Sequence, residues 1–236
     1  MLIVKPSVEF IDITPNATAK LARFARLCYQ AEPRGPEKDA AMLRRIIANG
    51  HTSQLEHASA SFIVTCDRGV THEWVRSRIG VSYSQESTRF CTYASDKFDN
   101  QIRIVMPSAG LTSAQMDRRS KLFQDIESVY NAESAEGVPA QIARGVLPTA
   151  LKTTLGVTND FRAWRWFLAM RTSKKAHPQI RELAFCIWGI LLKRCPVVFE
   201  TIPTVEETQR FANTEMSEYV IHEDLCVNRV DAEAAR

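Results

Sequence analysis

Hydrophobic positions along this chain change period several times, and each change marks an element. Residues 2 to 11, LIVKPSVEFI, read as a strand. NATAKLARFARLCYQ places Leu21, Phe24, Ala25 and Cys28 at helical spacing, with Asn16 as a cap. KDAAMLRRIIANG repeats the pattern with Met42, Leu43, Ile46 and Ile47, and Gly50 suits a left-handed stop. ASASFIVTC alternates, so Ala60, Phe62, Val64 and Cys66 share one face of a half-buried strand. VTHEWVRSRIG predicts a short helix ending at Gly80. The following VSYSQESTRFCTY loses helical periodicity and reads as loop or irregular strand.

In the second half, IRIVMPS reads as a strand and SAQMDRRSKLFQDIESVYNAESAEG as a helix. PAQIARGVLP is a short helix bracketed by Pro139 and Pro148. TALKTTLGVT sets Leu151, Thr153, Leu155 and Val157 against Lys152 and Thr154, which predicts another strand. Two helices follow in DFRAWRWFLAMRTS and PQIRELAFCIWGILLKRC, where Pro178 fits a first turn and Pro196 a stop. Beyond Ile202 the chain turns polar and VNRVDAEAAR reads as a solvated tail. Strands and helices mixed in irregular order, with no internal repeat, predict an α/β chain of the α+β type. One domain is expected over residues 1–202, with a polar C-terminal extension over 203–236.

Composition narrows the function classes without choosing one. A chain of 236 residues that is 45% hydrophobic can bury one sizeable core. A formal charge of +3 suits an enzyme of anionic substrates as well as a weak nucleic-acid binder. Six cysteines without a CxxC pair read as reduced, mostly buried thiols in a cytoplasmic protein, and not as disulfides or a zinc site. The first residues, MLIVKPSVEFID, lack the long apolar region of a signal peptide. The longest apolar run, 183 to 192, falls short of the about 20 residues that cross a bilayer. No membrane association is expected.

The chemistry concentrates in RSRIGVSYSQESTRF, residues 76 to 90. If helical, Arg76 and Arg78 point to nearly opposite sides, because positions two apart are not neighbours. Ser82, Ser84, Ser87, Thr88 and Arg89 supply the short hydroxyls and guanidinium fork that hold a phosphate, although a polar surface loop has the same composition. GHTSQLEHASASF gathers His51, Ser53, Glu56 and His57, but not at a metal-binding helical spacing, and no metal is expected. Arg144, Arg162, Arg165, Arg171 and Arg181 surround two helices carrying Trp164 and Trp166. Stacking on a single-stranded nucleic acid is one reading of the tryptophans, and core packing the other.

Taken in order, GHTSQLEH, RSRIGVSYSQESTRF, ARGVLP and RTSKKAHPQIRELA make this chain resemble the flavin-dependent thymidylate synthase family, from about Cys28 to about Phe199. The most specific part is a pair of arginines around one residue, a spacer, and Ser-x-Arg: here Arg76, Arg78, Ser87 and Arg89. The chain departs from the family pattern at Ser77, usually histidine, and in a spacer one residue longer than the common form. Asp160 replaces an asparagine, Lys175 a common histidine and Phe90 a tyrosine.

The resemblance implies a mixed sheet with antiparallel strands and packed helices. It implies a homotetramer with shared active sites, FAD as cofactor, and dUMP converted to dTMP with methylenetetrahydrofolate and NADPH as co-substrates. Nucleic acid is not an expected partner. By position, Ser53, Glu56, Arg76, Ser77, Arg78, Ile79, Asp160, Arg162 and Lys175 match the flavin contacts. Glu73, Arg76, Gln85, Glu86, Ser87, Thr88, Arg89, Arg144 and Arg171 match the dUMP set, with Arg171 near the uracil and His51 in the folate and redox region. Arg171 and His51 are the catalytic candidates. A relative that binds flavin or nucleotide without turnover is the alternative.

Overall fold

Lys5 and Pro6 divide the expected N-terminal strand into two strands that join different sheets. In the computed structural model, which describes residues 1–108 and 110–202, β1 (Leu2–Val4) pairs in parallel with β5 (Arg103–Val105), Leu2 opposite Arg103 and Val4 opposite Val105. After the break, β2 (Ser7–Ile13) enters a four-stranded sheet. Proline has no N–H for a ladder, so a strand run through Pro6 stops there. The C-terminal extension and Cys226 lie outside the described residues.

The larger sheet has the order β2-β3-β6-β4, with β3 (Ser59–Asp67), β6 (Lys152–Asp160) and β4 (Val81–Gln85). The β3 and β6 strands run antiparallel. The Phe161 N–H bonds to the Ala58 carbonyl at one end of the pair, and the Arg68 N–H to the Leu151 carbonyl at the other. The same test makes β6 and β4 antiparallel, since the Asp160 N–H reaches the Gly80 carbonyl and the Glu86 N–H the Thr154 carbonyl. Along β3 the expected alternation is realised, with Ala60, Phe62, Val64 and Cys66 all buried.

The helices are α1 (Ala17–Leu27), α2 (Pro36–Ala48), α3 (Arg68–Trp74), α4 (Ser113–Ala135), α5 (Ala140–Ala143), α6 (Phe161–Arg171), α7 (Pro178–Arg194) and α8 (Pro196–Phe199). Asn16 precedes α1 in the left-handed region, φ 50°, and its side chain makes no capping bond. Pro196 ends α7 and opens the short α8. No helix among the described residues is long and apolar enough to cross a membrane.

The chain forms two compact units, each assembled from separated stretches. One comprises 1–6, 65–74 and 84–155; the other comprises 7–64, 75–83 and, among the described residues, 156–202. The first has a core of Tyr93, Ile102, Ile104, Met106, Phe123, Tyr130, Ala143 and Leu151. In the second, Trp164 meets Phe62 edge-on at 5.2 Å between ring centres and donates its indole N–H to the Ala60 carbonyl at 3.0 Å. Arg165 is buried beside it and donates to the Val198 and Thr201 carbonyls, tying the end of α8 to α6. Burial pushes its guanidinium down to about 10. Core packing therefore describes Trp164 but not Trp166, which is 62% exposed.

Burial also decides the thiol chemistry. Cys66 is wholly buried; desolvation, helped by Asp67, pushes its thiol up to about 12, while Cys28 is exposed. A thiol raised in the folded state contributes stability fully below its unfolded value, near about 8.5. That contribution is lost as pH rises from there toward the folded value. With Ellman's reagent at about pH 8, Cys28 should react in the folded protein and Cys66 only after denaturant is added. Rapid native labelling of Cys66, read by peptide mass, would contradict this burial.

Candidate functional site

The arginine-rich stretch starts where α3 ends, six residues before the expected stop at Gly80. Trp74 is fully buried, and beyond it the backbone turns toward β6. Gly80 takes φ +69°, a left-handed conformation, and its carbonyl accepts from the Asp160 N–H at 2.9 Å. The Tyr83 hydroxyl donates to the Ser77 carbonyl at 3.0 Å. Sheet pairing has thus overridden the helical pattern, and Arg76 and Arg78 sit on irregular backbone.

Within the second unit lie His51, Ser53, Glu56, Arg76, Ser77, Arg78, Ile79, Asp160, Arg162, Arg171 and Lys175. Ser53 and Glu56 belong to a 3-10 helix (Ser53–His57), and Glu56 accepts from Arg162 of α6 at 2.5 Å. His57 stacks on Phe24 with ring centres 3.8 Å apart, and His51 is exposed beyond the end of α2. Among the described residues no three His, Cys, Asp or Glu side chains gather as a metal site. Asp160 caps α6, its carboxylate accepting from the Ala163 N–H at 2.7 Å. Its carboxyl is nevertheless pushed up, first by burial and further by the nearby Glu56. A Cβ on Gly80 would stand 1.9 Å from the Asp160 Oδ2, so only glycine permits this approach.

Arg78 and Ile79 are exposed, and among the described residues the Arg78 guanidinium has no ion pair. Lys175 is exposed past the end of α6. Arg171, the last residue of α6, lies close enough to act electrostatically on Tyr83. Burial pushes the Tyr83 hydroxyl up to about 12, against the opposing pull of Arg171.

The first unit holds Glu73, Gln85, Glu86, Ser87, Thr88, Arg89 and Arg144. The Gln85 amide donates to Thr71 at 3.2 Å and Thr153 at 3.3 Å, anchoring the end of β4. A turn follows, closed by the Cys91 N–H on the Ser87 carbonyl at 2.9 Å. Arg144 reaches Thr88 at 3.3 Å. Arg89 is exposed; its N–H donates to the Ser87 hydroxyl at 3.3 Å, and its guanidinium lies 5.8 Å from the centre of the Phe90 ring. The Arg89 guanidinium, the Ser87 hydroxyl and the turn amides, with the Arg144 guanidinium brought to Thr88 from the end of α5, form a donor set suited to a phosphate. Lys152, Tyr93, Thr71 and Thr153, which fix this turn, lie in no motif and were not among the expected site residues.

Residues 9–197 match the family model described as thymidylate synthase complementing protein. The chain belongs to this family. Among relatives of the thymidylate synthase complementing protein family, one from Mycobacterium tuberculosis is 37% identical over 213 residues, covering 84% of each chain. One from Geobacter sulfurreducens is 34% identical over 200 residues, covering 81% of this chain and 84% of its own. Both are named flavin-dependent thymidylate synthase. A solved structure, the UMP/dUMP methylase PolB from Streptomyces cacaoi bound with 5-Br dUMP, superposes with a TM-score of 0.73 at 20% identity. It covers 85% of this chain and 96% of its own. At that identity the likeness shows a shared fold with PolB, here an α/β one with antiparallel strands and packed helices.

Proposed function

We propose that this protein is a flavin-dependent thymidylate synthase, forming dTMP from dUMP. The observation that carries the reading is its likeness, over most of both chains, to relatives bearing that name. In this reaction the methylene carbon of methylenetetrahydrofolate becomes the C5 methyl of the pyrimidine, tetrahydrofolate leaves, and NADPH supplies the reducing equivalents. FAD, when bound, carries hydride between reductant and pyrimidine.

The donor set of the second unit fits an FAD. Arg76, Arg78 and Lys175 supply charge for its pyrophosphate, and the Ser53 hydroxyl and the Ser77 and Ile79 backbone offer further contacts. Gly80, whose missing Cβ leaves room for Asp160, keeps residues 76–79 against the start of α6. Glu56 and Arg162 neutralise each other at the edge of that set. In the first unit, Ser87, Thr88, Arg89 and Arg144 would bind the dUMP phosphate, with Gln85, Glu86 and Glu73 about it. Arg171 would stabilise negative charge developing on the uracil through the donors of its guanidinium. His51 would serve the folate and redox region. No protein nucleophile is required. A cytoplasmic homotetramer with shared sites completes the reading, and it would cover the exposed Ile79, Phe90 and Trp166.

The test is the visible absorption spectrum of the purified protein, before and after adding FAD, with dUMP-dependent NADPH oxidation followed in the same cuvette. Flavin bands and dTMP formation are expected. Flavin without dTMP would mark a binder that has lost turnover. A protein that stays colourless after FAD addition would overturn the reading.

A further inference from the structure

Glu86 stands inside the proposed nucleotide turn, yet each of its polar groups already has a protein partner. Its Oε1 accepts from the Tyr93 hydroxyl at 2.7 Å and its Oε2 from the Lys152 ammonium at 2.7 Å. Its N–H donates to the Thr154 carbonyl at 2.9 Å, and its carbonyl accepts from Arg68 at 3.4 Å. The Glu86 side chain is only 12% exposed and that of Lys152 16%. Tyr93 is itself fixed: buried, edge-on to Phe98 at 5.2 Å, with its N–H on the Tyr130 hydroxyl at 3.3 Å. Burial and the bond to Glu86 push the Tyr93 phenol up, so it stays a donor. Burial alone would raise the Glu86 carboxyl, but the bonds from Lys152 and Tyr93 outweigh it and hold the carboxyl below its usual range.

We propose that Glu86, pinned by Lys152 and Tyr93, is a positioning residue that presets the 86–91 turn for the nucleotide phosphate and does not itself bind the nucleotide. The proposal rests on the dUMP reading and refines the role of one residue in it. Two consequences give the arrangement a function. A turn already fixed loses less conformational freedom when ligand binds. A carboxylate one residue from Ser87 would repel a phosphate if loose, and two donors from opposite sides neutralise and immobilise it. The positive charge of Lys152 is then spent on Glu86, leaving Arg89 and Arg144 for the ligand.

The experiment measures dUMP binding by calorimetry and dTMP-forming kinetics for the FAD-loaded protein and three variants. Glu86→Gln and Lys152→Met should each raise the dUMP dissociation constant and KM about tenfold, with kcat at saturating dUMP falling less than about threefold. Lys152→Arg, which keeps the ion pair, should stay within about threefold of wild type. Because Glu86→Gln leaves the Lys152 ammonium without its carboxylate, Tyr93→Phe is the control against simple misfolding. It removes one hydroxyl, keeps the ring packing and should raise KM about threefold to tenfold. Wild-type dUMP affinity in Glu86→Gln, Lys152→Met and Tyr93→Phe would overturn the positioning role while leaving the synthase reading intact. So would an equal loss of FAD binding, kcat and dUMP affinity, since that marks general unfolding. A wild-type protein that binds no dUMP would overturn the synthase reading, and this role with it.

Discussion

Arg89→Ala should raise the KM for dUMP about a hundredfold and leave the melting temperature almost unchanged. Arg89 is exposed, and among the described residues its guanidinium meets only the Phe90 ring, at 5.8 Å, while its backbone N–H donates to the Ser87 hydroxyl and stays in the alanine variant, so the folded protein alone loses little with the side chain. Exposed side chains removed from such positions typically change stability by about 0.5 kcal/mol or less. With a phosphate in the turn the balance reverses. A guanidinium fork gives two charge-assisted hydrogen bonds, and losing bonds to a charged group costs about 1.5–3 kcal/mol, or roughly ten- to 150-fold in affinity. Steady-state kinetics beside a thermal melt separate the two effects. A variant with wild-type KM would remove Arg89 from the nucleotide set, and one with a much lower melting temperature would assign it a structural role.

Gly80→Ala should weaken FAD binding and destabilise the second unit. A non-glycine residue at φ +69° carries a left-handed penalty of about 1–2 kcal/mol. The new Cβ also meets the Asp160 Oδ2 at 1.9 Å and the Asp160 Cγ at 2.7 Å, so the carboxylate must leave. Its departure frees the Ala163 N–H and removes the cap of α6, worth about 1 kcal/mol. The combined loss of about 2–3 kcal/mol corresponds, for a chain of this size, to a fall in melting temperature of roughly 5–10 °C. Because Gly80 adjoins Ile79 and Asp160 precedes Arg162, both segments of the proposed flavin set shift together. Gly80→Ala with Asp160→Ala relieves the overlap but not the backbone strain or the lost cap, so it should recover only part of the stability. Full stability in Gly80→Ala alone would show that the Gly80–Asp160 contact carries no energy.

How much of this was legible in the sequence depended on the range of the forces involved. The strands β3 and β6 were readable because alternate residues, Phe62 and Val64 or Leu155 and Val157, are buried on one side. Helices α1, α2, α6 and α7 followed from apolar residues at helical spacing. Misreadings arose where tertiary pairing overrode local pattern. The run VTHEWVRSRIG has a helical look, but pairing of Gly80 with Asp160 draws residues beyond Trp74 out of the helix. Trp166 follows from helix geometry itself: two positions from the buried Trp164, it cannot share the same face. Within the candidate site, the family motif singled out Arg76, Arg78, Ser87 and Arg89, which are close in sequence. It gave no sign of Lys152, 66 residues from Glu86, or of Tyr93 as a fixed donor. Strand pairing brings those groups together, and the pairing is visible only once the sheet is built.

The most direct test of the proposed chemistry is chromatographic detection of dTMP in reactions lacking one component at a time. dTMP should form only when dUMP, methylenetetrahydrofolate, NADPH and FAD are present together. It should still form after every cysteine is replaced by serine, provided the protein stays folded, because no enzymic thiol is required. dTMP formed without flavin, or none formed while the flavin-loaded protein binds dUMP and oxidises NADPH, would contradict the proposed synthase.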